Sequence, residues 1–492
     1  MPRSPHRWNP LDTLSIGGWL VLLIAVLSTA TVGFVSLTDE EPDGLELWTF
    51  ASNHGDLYQR LMREYNQAAD AEGKEPVNVF TIDGAALTRR TLSGFLSGTP
   101  LADLIEIERT AMGQYFAGRL EDVGFTDLTD RLADENLLEQ INPPSFTPWT
   151  SRGRIFGLPH DVHPVLLAYR ADLVEDAGID VNEIETWDDF IRVMSPLIAD
   201  TDGDGTIDRY LINLWYTNFD EIDPLLLQSG GGTFDAQDNS LVASDANAMV
   251  IAHVVAWNIG DSRIAIDAPE FSASGNLLKL EGKVVAQIMP DWLAGVWKRN
   301  LPAMGGKTKL MPLPAWEPGG LRTSVKGGTM IGIPKATEDF EAAWEVAKLL
   351  YLNPDLAREM FEASNIISPA TALWEEPYYH EPDPFFMGQP SGTLFIEQAP
   401  YVPFRSSNPF HGRARTLIGI AVSELYDEAR AGEIVPLDQL TPEALIPRAK
   451  ELLEAADTRL QGEMDRNVFL RREREEREAA AATSQTDTGG QP

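Results

Sequence analysis

The chain has 492 residues, 43 % of them hydrophobic and 23 % charged, which is enough apolar material for more than one large core. It carries 75 Asp plus Glu against 39 Lys plus Arg, a formal net charge of −36, and repulsion of that size argues against nucleic acid or anionic lipid as a partner. There is no cysteine, which excludes disulfides, thiolate metal sites and an acylated cysteine anchor, so any membrane attachment must be made of peptide.

The first element in chain order supplies such an attachment. Ile16 to Leu37 is a run of 22 residues without a charge, preceded by Arg3 and Arg7 and followed by the acidic stretch 39–43. About 20 apolar residues span a bilayer as a helix, and basic residues keep the preceding end in the cytoplasm. The expectation is a cytoplasmic segment 1–15, a transmembrane signal-anchor over 16–37, and a main domain held outside a cell membrane that the chain crosses once. A cleaved signal peptide is the competing reading, because Ser28-Thr-Ala30 offers small residues at a cleavage position.

Leu45 to Phe50 alternates as a strand does and is followed by Ser52, Asn53 and His54 before a helical pattern of Leu57, Leu61, Met62 and Tyr65. Val77 to Ile82 reads as a second strand, Leu87 to Leu96 as a helix, and Ala102 to Ile107 as a third strand. Strands alternating with helices predict an α/β fold with a doubly wound, mostly parallel sheet, whose ligands lie beyond the C-terminal strand ends. The loops after Phe50 and after Glu106 are therefore candidate walls of a cleft.

Further along, Gly153 to Gly178 reads as a strand, a turn at Leu158-Pro159, an apolar strand Val165 to Tyr169 and a short helix, and Thr186-Trp-Asp-Asp-Phe190 reads as a capped helix start. Leu225 to Phe234, with three consecutive glycines, precedes a long helix from about Asp245 to Trp257. Gly282 to Trp292 is a strand leading to a Trp-bearing helix start. Met311-Pro-Leu-Pro314, Gly327 to Pro334 and the amphipathic helix Phe340 to Leu350 complete the series. In this order, over about residues 44–462, the segments resemble the sugar-type extracellular solute-binding proteins of ATP-driven ABC importers, family 1, similar to maltodextrin-binding proteins.

The resemblance implies a two-lobed periplasmic-binding-protein-like fold of type II, with lobe one at 44–157 and 286–330 and lobe two at 160–284 and 332–462. It also implies a carbohydrate ligand, permease subunits as partners, and no enzymatic activity. Residues 463–492, a charged helix running into a polar tail, fall outside it and cannot bury enough apolar surface to order much further. A membrane-tethered sugar sensor or adhesion ectodomain, and a glycoside-processing hydrolase using Glu106 and Asp161 as acid and base, are the alternatives. No nucleophile elbow, phosphate loop or His-Glu-x-x-His pair stands in the sequence.

A sugar offers flat C–H faces and a rim of hydroxyls, so its site needs aromatic surfaces plus carboxylates, amides and close backbone. The candidates at predicted strand ends and crossings are Trp48, Asn53, His54, Glu106, Glu108, Asp161, His163, Trp215, Tyr216, Asp291, Trp292 and Gly328. Tyr169, Trp187, Trp257 and Trp344 sit on apolar faces and read as core. His160 and His163 bracket Asp161, which opens the alternative of a transition-metal site, although Pro159 and Pro164 favour an extended turn. The strongest local motif is Asp200-Thr-Asp-Gly-Asp-Gly-Thr-Ile-Asp208. Asp200, Asp202, Asp204, Thr206 (through its carbonyl) and Asp208 match the first nine positions of a calcium loop, so a structural calcium is expected. Leu211 stands at position 12, so a remote carboxylate such as Asp220, Glu221 or Asp223 would have to complete it.

Overall fold

The computed structural model describes residues 15–38, 44–260, 263–469 and 471–472. Residues 1–14 of the expected segment 1–15, and the tail from 473, lie outside the described residues. Ile16–Thr38 is a helix, but among the described residues no helix is long and apolar enough to cross a membrane. From Leu45 onward the chain is a separate compact unit.

Its strands in chain order are β1 (Leu45–Thr49), β2 (Val77–Thr81), β3 (Leu104–Glu108), β4 (Thr150–Ser151), β5 (Arg154–Ile155), β6 (Leu158–Pro159), β7 (Val165–Arg170), β8 (Tyr210–Asn213), β9 (Ala265–Ile266), β10 (Val284–Pro290), β11 (Thr308–Pro312) and β12 (Thr329–Gly332). Ten of them form two five-stranded sheets, ordered β2-β1-β3-β12-β6 and β11-β7-β10-β8-β9, and each sheet is the centre of one lobe. β7 and β10 are buried along their whole length, which is why β7 reads as an apolar run up to Tyr169 and β10 as one interrupted only by Gln287, rather than alternating.

The expected mostly parallel sheets are in fact mixed. β1 pairs in parallel with β2 and β3, and β8 with β9 and β10, whereas β12 is antiparallel to β3 and β6, and β7 is antiparallel to β10 and β11. The antiparallel pairs are made by the strands on either side of the lobe crossings, because a chain returning from the other lobe enters its sheet from the opposite end.

The same pairing moves the expected lobe boundaries. β10 and β11 belong to the second sheet and β12 to the first, so 286–312 lies in lobe two rather than lobe one. The helices Phe340–Leu352 and Pro354–Ser364 bury Trp344, Leu350, Leu356 and Met360 against Leu47, Leu104 and Ile331, so they belong to lobe one rather than lobe two. Three crossings result: residues 160–164, residues 313–328, and the step from Ile366, packed in the lobe-one core, to Ile367, packed with Leu166 and Met289. The first two run side by side, tied by Val165 N–H donating to Ser324 O at 3.0 Å.

Lobe two buries its largest core under the helices Asp245–Asn258, His411–Arg430 and Pro442–Met464. Trp187 and Trp257 lie in this core and Trp344 in the other, as their spacing predicts. The helix at Trp187–Met194 starts with the expected cap: Asp189 N–H donates to the Thr186 hydroxyl, and Asp189 accepts from Thr186 N–H.

Candidate functional site

Phe50, Asn53 and His54 follow β1, Glu108 ends β3, His163 lies in the first crossing, Gly327 and Gly328 end the second, and Trp292 follows β10. These residues, with Arg299 and Ser364, line one cleft of about 270 Å³ between the lobes. Five of the expected site residues besides Trp292 are therefore brought together: Asn53, His54, Glu108, His163 and Gly328. The cleft walls combine aromatic faces with polar rims. Trp292 is fixed by its indole N–H donating to Lys326 O at 2.9 Å, and Phe271 lies nearly parallel to it with ring centres 6.3 Å apart. Asn53 donates to the Ser364 hydroxyl at 3.2 Å. The two glycines are required: Gly327 and Gly328 have φ of 99° and 138°, and a Cβ on Gly328 would stand 2.6 Å from the Arg405 guanidinium.

Behind this wall lies a buried ionic network that was visible in the sequence only as scattered polar residues. Asp161 accepts from the imidazoles of His160 (3.1 Å) and His163 (3.0 Å) and from Thr329 N–H (3.1 Å). The second nitrogen of His163 meets Asp291 at 2.6 Å, and Asp291 also accepts from the N–H groups of Trp292 and Ile367. One carboxylate pair thus joins the first crossing, the second, the third and the base of Trp292. Burial would lower His163, but Asp161 and Asp291 push it up to about 10, so it is an imidazolium donating from both nitrogens. Burial would raise Asp161, but the two imidazoles hold it far below the usual carboxylate range. His163 adopts φ 55°, a left-handed conformation unusual for a residue with a side chain, which the two ion pairs hold in place.

Glu106 is sealed in lobe one, accepting from Thr49, from His54 at 3.2 Å, and from the hydroxyls of Tyr58 (2.8 Å) and Tyr351 (2.7 Å). Burial would raise it, yet the His54 charge and these bonds hold it at about 2. The His54 and His160 rings stand 4.4 Å apart, so the Glu106 cluster continues into the Asp161 cluster.

Several expectations are corrected by this geometry. Glu106, Asp161 and Asp291 are fully buried and satisfied by protein donors, so they position the cleft rather than face it. For the same reason Glu106 and Asp161 do not form the exposed acid and base pair of a glycosidase. Trp48 is core: it is 2 % exposed, donates to Glu46 and carries the Arg90 guanidinium over its outer face. Trp215 lies outside the cleft, and Tyr216 stacks on Tyr426 with ring centres 4.0 Å apart, turned towards the His411–Arg430 helix. A transition metal at His160 and His163 is unsupported, because both nitrogens of His163 are spent on carboxylates.

Sequence reading missed Arg109 and Lys326, and it offered their partners Asp223 and Glu221 only as remote calcium carboxylates. Arg109 of lobe one pairs with Asp223 of lobe two at 2.6 Å, both nearly fully buried, and Lys326 pairs with Glu221 at 2.8 Å. Arg109 also meets His411 Nε2 at 3.5 Å. Burial and the Arg109 charge keep His411 neutral, so its Nδ1–H faces the Thr233 hydroxyl at 2.7 Å. No local pattern signals this latch: Arg109 stands between Glu108 and Thr110 at the start of a short helix, and Asp223 comes 114 residues later.

In the acidic loop, Asp200, Asp202 and Asp204 each bring one carboxylate oxygen within 4.8 Å of the others. Asp200 accepts from the N–H groups of Gly203 and Gly205, which have φ of 79° and 92° and so make the sharp turn. Asp208 departs from the expected set, because it is engaged by Thr201 and by Lys283 at 3.0 Å. The remote carboxylates are spent as well: Asp220 pairs with Arg415, Glu221 with Lys326 and Asp223 with Arg109.

Two mixed α/β lobes joined by three crossings, with an aromatic and polar cleft between them, define a hinged binding protein. Residues 55–355 match the family model described as bacterial extracellular solute-binding protein, and the chain belongs to that family. It is 24 % identical over 347 residues to an arabinooligosaccharide-binding protein of Halalkalibacterium halodurans, covering 70 % of this chain and 75 % of that one. It is also 24 % identical over 336 residues to a lactose-binding protein of Rhizobium radiobacter, covering 66 % of this chain and 75 % of that one. In fold it is similar to the sugar-binding protein MalE of Xanthomonas citri, with a TM-score of 0.64 at 19 % identity, covering 85 % of this chain and 99 % of the other.

Proposed function

We propose that this protein is the extracytoplasmic carbohydrate-binding component of an ATP-driven importer, closing two lobes around a sugar and presenting it to permease subunits. The observation that carries the reading is the interlobe cleft in which Trp292 offers a flat face beside Asn53, Glu108 and Arg299. That combination stacks on a pyranose or furanose face and hydrogen-bonds its hydroxyls. The sugar specificities of the relatives point the same way, and a neutral oligosaccharide suits so acidic a chain. The test is calorimetry and thermal shift against a carbohydrate panel that includes arabino-oligosaccharides and lactose. A saturable one-to-one isotherm without change in the sugar is expected, and a panel with no binder, or with product released, would overturn the reading.

In this reading the N-terminal segment holds the protein at the cell membrane beside its transporter. The support is sequence alone: 22 uncharged residues behind Arg3 and Arg7, in a chain without a cysteine for lipid attachment.

The acidic loop belongs to lobe two and away from the cleft, so its proposed role is structural. Asp200, Asp202 and Asp204 would hold a calcium ion, with the Thr206 carbonyl and water completing its oxygen shell in place of Asp208. A cation bound only by the folded state at a hundred times its Kd stabilises by about 2.7 kcal/mol. Chelator is therefore expected to lower the melting temperature, and Asp202→Asn to abolish that response. An unchanged melting temperature in chelator would leave the loop a solvated turn.

A further inference from the structure

Across the seam between the lobes, Arg109 of lobe one is inserted between two side chains of lobe two. One end of its guanidinium donates to Asp223 at 2.6 Å, and the other meets His411 Nε2 at 3.5 Å. None of the three residues is more than 5 % exposed. The seam is tight: a Cβ on Gly113, in the helix Arg109–Tyr115, would stand 2.6 Å from Asn408 O, the carbonyl that accepts the His411 N–H at 2.9 Å. We propose that lobe closure in this protein is proton-linked at His411: the closed arrangement admits only the neutral imidazole, so acid opens the lobes and loosens whatever the cleft holds.

Both ring nitrogens are committed in a way that a proton would break. Nδ1–H faces the Thr233 hydroxyl at 2.7 Å, which leaves Nε2 to meet Arg109 with its lone pair. A proton on Nε2 would set N–H against N–H, and a second positive charge against a guanidinium, in a buried seam where solvent screens little. The charged groups that face the ring are Arg109, from the helix Arg109–Tyr115, and Arg415, one turn along its own helix. Asp223, of the helix Phe219–Gln228, is bonded to the other terminal nitrogen of Arg109, and Asp220 is held by Arg415. Burial, then Arg109, then Arg415 hold His411 well below the ordinary imidazole range. Parting the lobes withdraws Arg109, whose own N–H is bound to Gly328 O at 2.9 Å, and leaves His411 in water with an ordinary proton affinity, near pH about 6.5. The advantage that a neutral His411 gives the closed arrangement is therefore complete above that pH and shrinks about tenfold per pH unit below it. The buried groups of the hinge do not respond in this window. His163 lies at about 10, Glu106 at about 2 and Asp161 lower still. His160 keeps its neighbours His54, Asp161 and Tyr351 when the lobes part, because they belong to lobe one or to the first crossing.

Because the chain has no cysteine, the inference can be tested without a sugar. Leu96→Cys on lobe one and Leu437→Cys on lobe two, both exposed, accept spin labels in the full-length protein, and pulsed dipolar spectroscopy reads the interlobe distance. Between pH 7.5 and pH 5.5 the closed-to-open ratio is expected to fall about tenfold, with the slope of a single proton, and this reading needs no further substitution. His411→Gln, which keeps an amide donor and an acceptor but takes up no proton, is expected to hold one ratio at both pH values. His411→Asn serves as a second neutral amide should the longer side chain not fit the seam. A ratio in the labelled parent that stays constant between the two pH values, or an equal shift in parent and amide variants, would overturn the inference. Since no carbohydrate is involved, that result would leave the proposed transport function untouched, and a sugar panel without a binder would leave this measurement in force.

Discussion

Asp161→Ala is expected to lower the unfolding free energy by about 3–5 kcal/mol, because it strips the His163 imidazolium of one of its two carboxylates inside the hinge. Urea unfolding of the variant against the parent measures this directly. The pH dependence follows from the same groups. His163 is raised from 6.5 to about 10 in the folded protein, so its stabilisation is complete below pH 6.5 and is lost as pH climbs towards 10. Glu106 is lowered from 4.5 to about 2, so its stabilisation is complete above pH 4.5 and is lost as pH falls towards 2. Asp161, also held low by His163 and His160, adds to the acid limb. Melting temperature should therefore be highest from about pH 4.5 to 6.5 as far as these groups decide it. Asp161→Asn should flatten the alkaline limb while the Glu106 share of the acid limb persists. An alkaline limb unchanged in Asp161→Asn would mean that the His163 pair is not the stabilising element.

Trp292→Ala is expected to weaken carbohydrate binding by about thirtyfold or more, the usual cost of removing a central aromatic anchor from a desolvated site, about 2 kcal/mol. Trp292→Phe should recover part of this, since the ring still faces the cleft beside Phe271. Trp215→Ala is the informative comparison. Trp215 is 38 % exposed and is also a ligand candidate in the sequence, but it stands outside the cleft lining, so its loss should leave affinity unchanged. Calorimetry with whichever sugar binds the parent protein distinguishes the two residues, and equal losses would show that the cleft has been assigned to the wrong wall.

The contrast between these two tryptophans shows where sequence reading ran out. Both follow apolar strands of the second sheet, and only the resemblance, at the helix start Trp292 to Gly295, favours Trp292. The position of each depends on which edge of the sheet meets the hinge, and strand order is not written in the spacing. Likewise Glu106, Asp161 and Asp291 read in the sequence as ligand-facing candidates at strand ends and crossings. Partners that turn them inward are 52, 168 and 76 residues away in the pairs Glu106 with His54, Asp161 with Thr329, and Asp291 with Ile367, so pattern alone could not show that they face inward. The pairing of Arg109 with Asp223 escaped notice for the same reason, the two being joined only when the lobes meet.

What the sequence by itself determined were the properties set by near neighbours. These are the strands β7 and β10 as buried apolar runs, the Thr186 cap, the core tryptophans at helical spacing and the sharp turns at Gly203 and Gly205. The order of such segments was enough to point to a two-lobed binding protein. The tertiary structure alone decided which strands share a sheet, which lobe holds β10 to β12, and which polar residues line the cleft rather than brace it. Those outcomes depend on contacts between segments far apart in the chain, where burying an ion pair is favourable only if its partner arrives from another element.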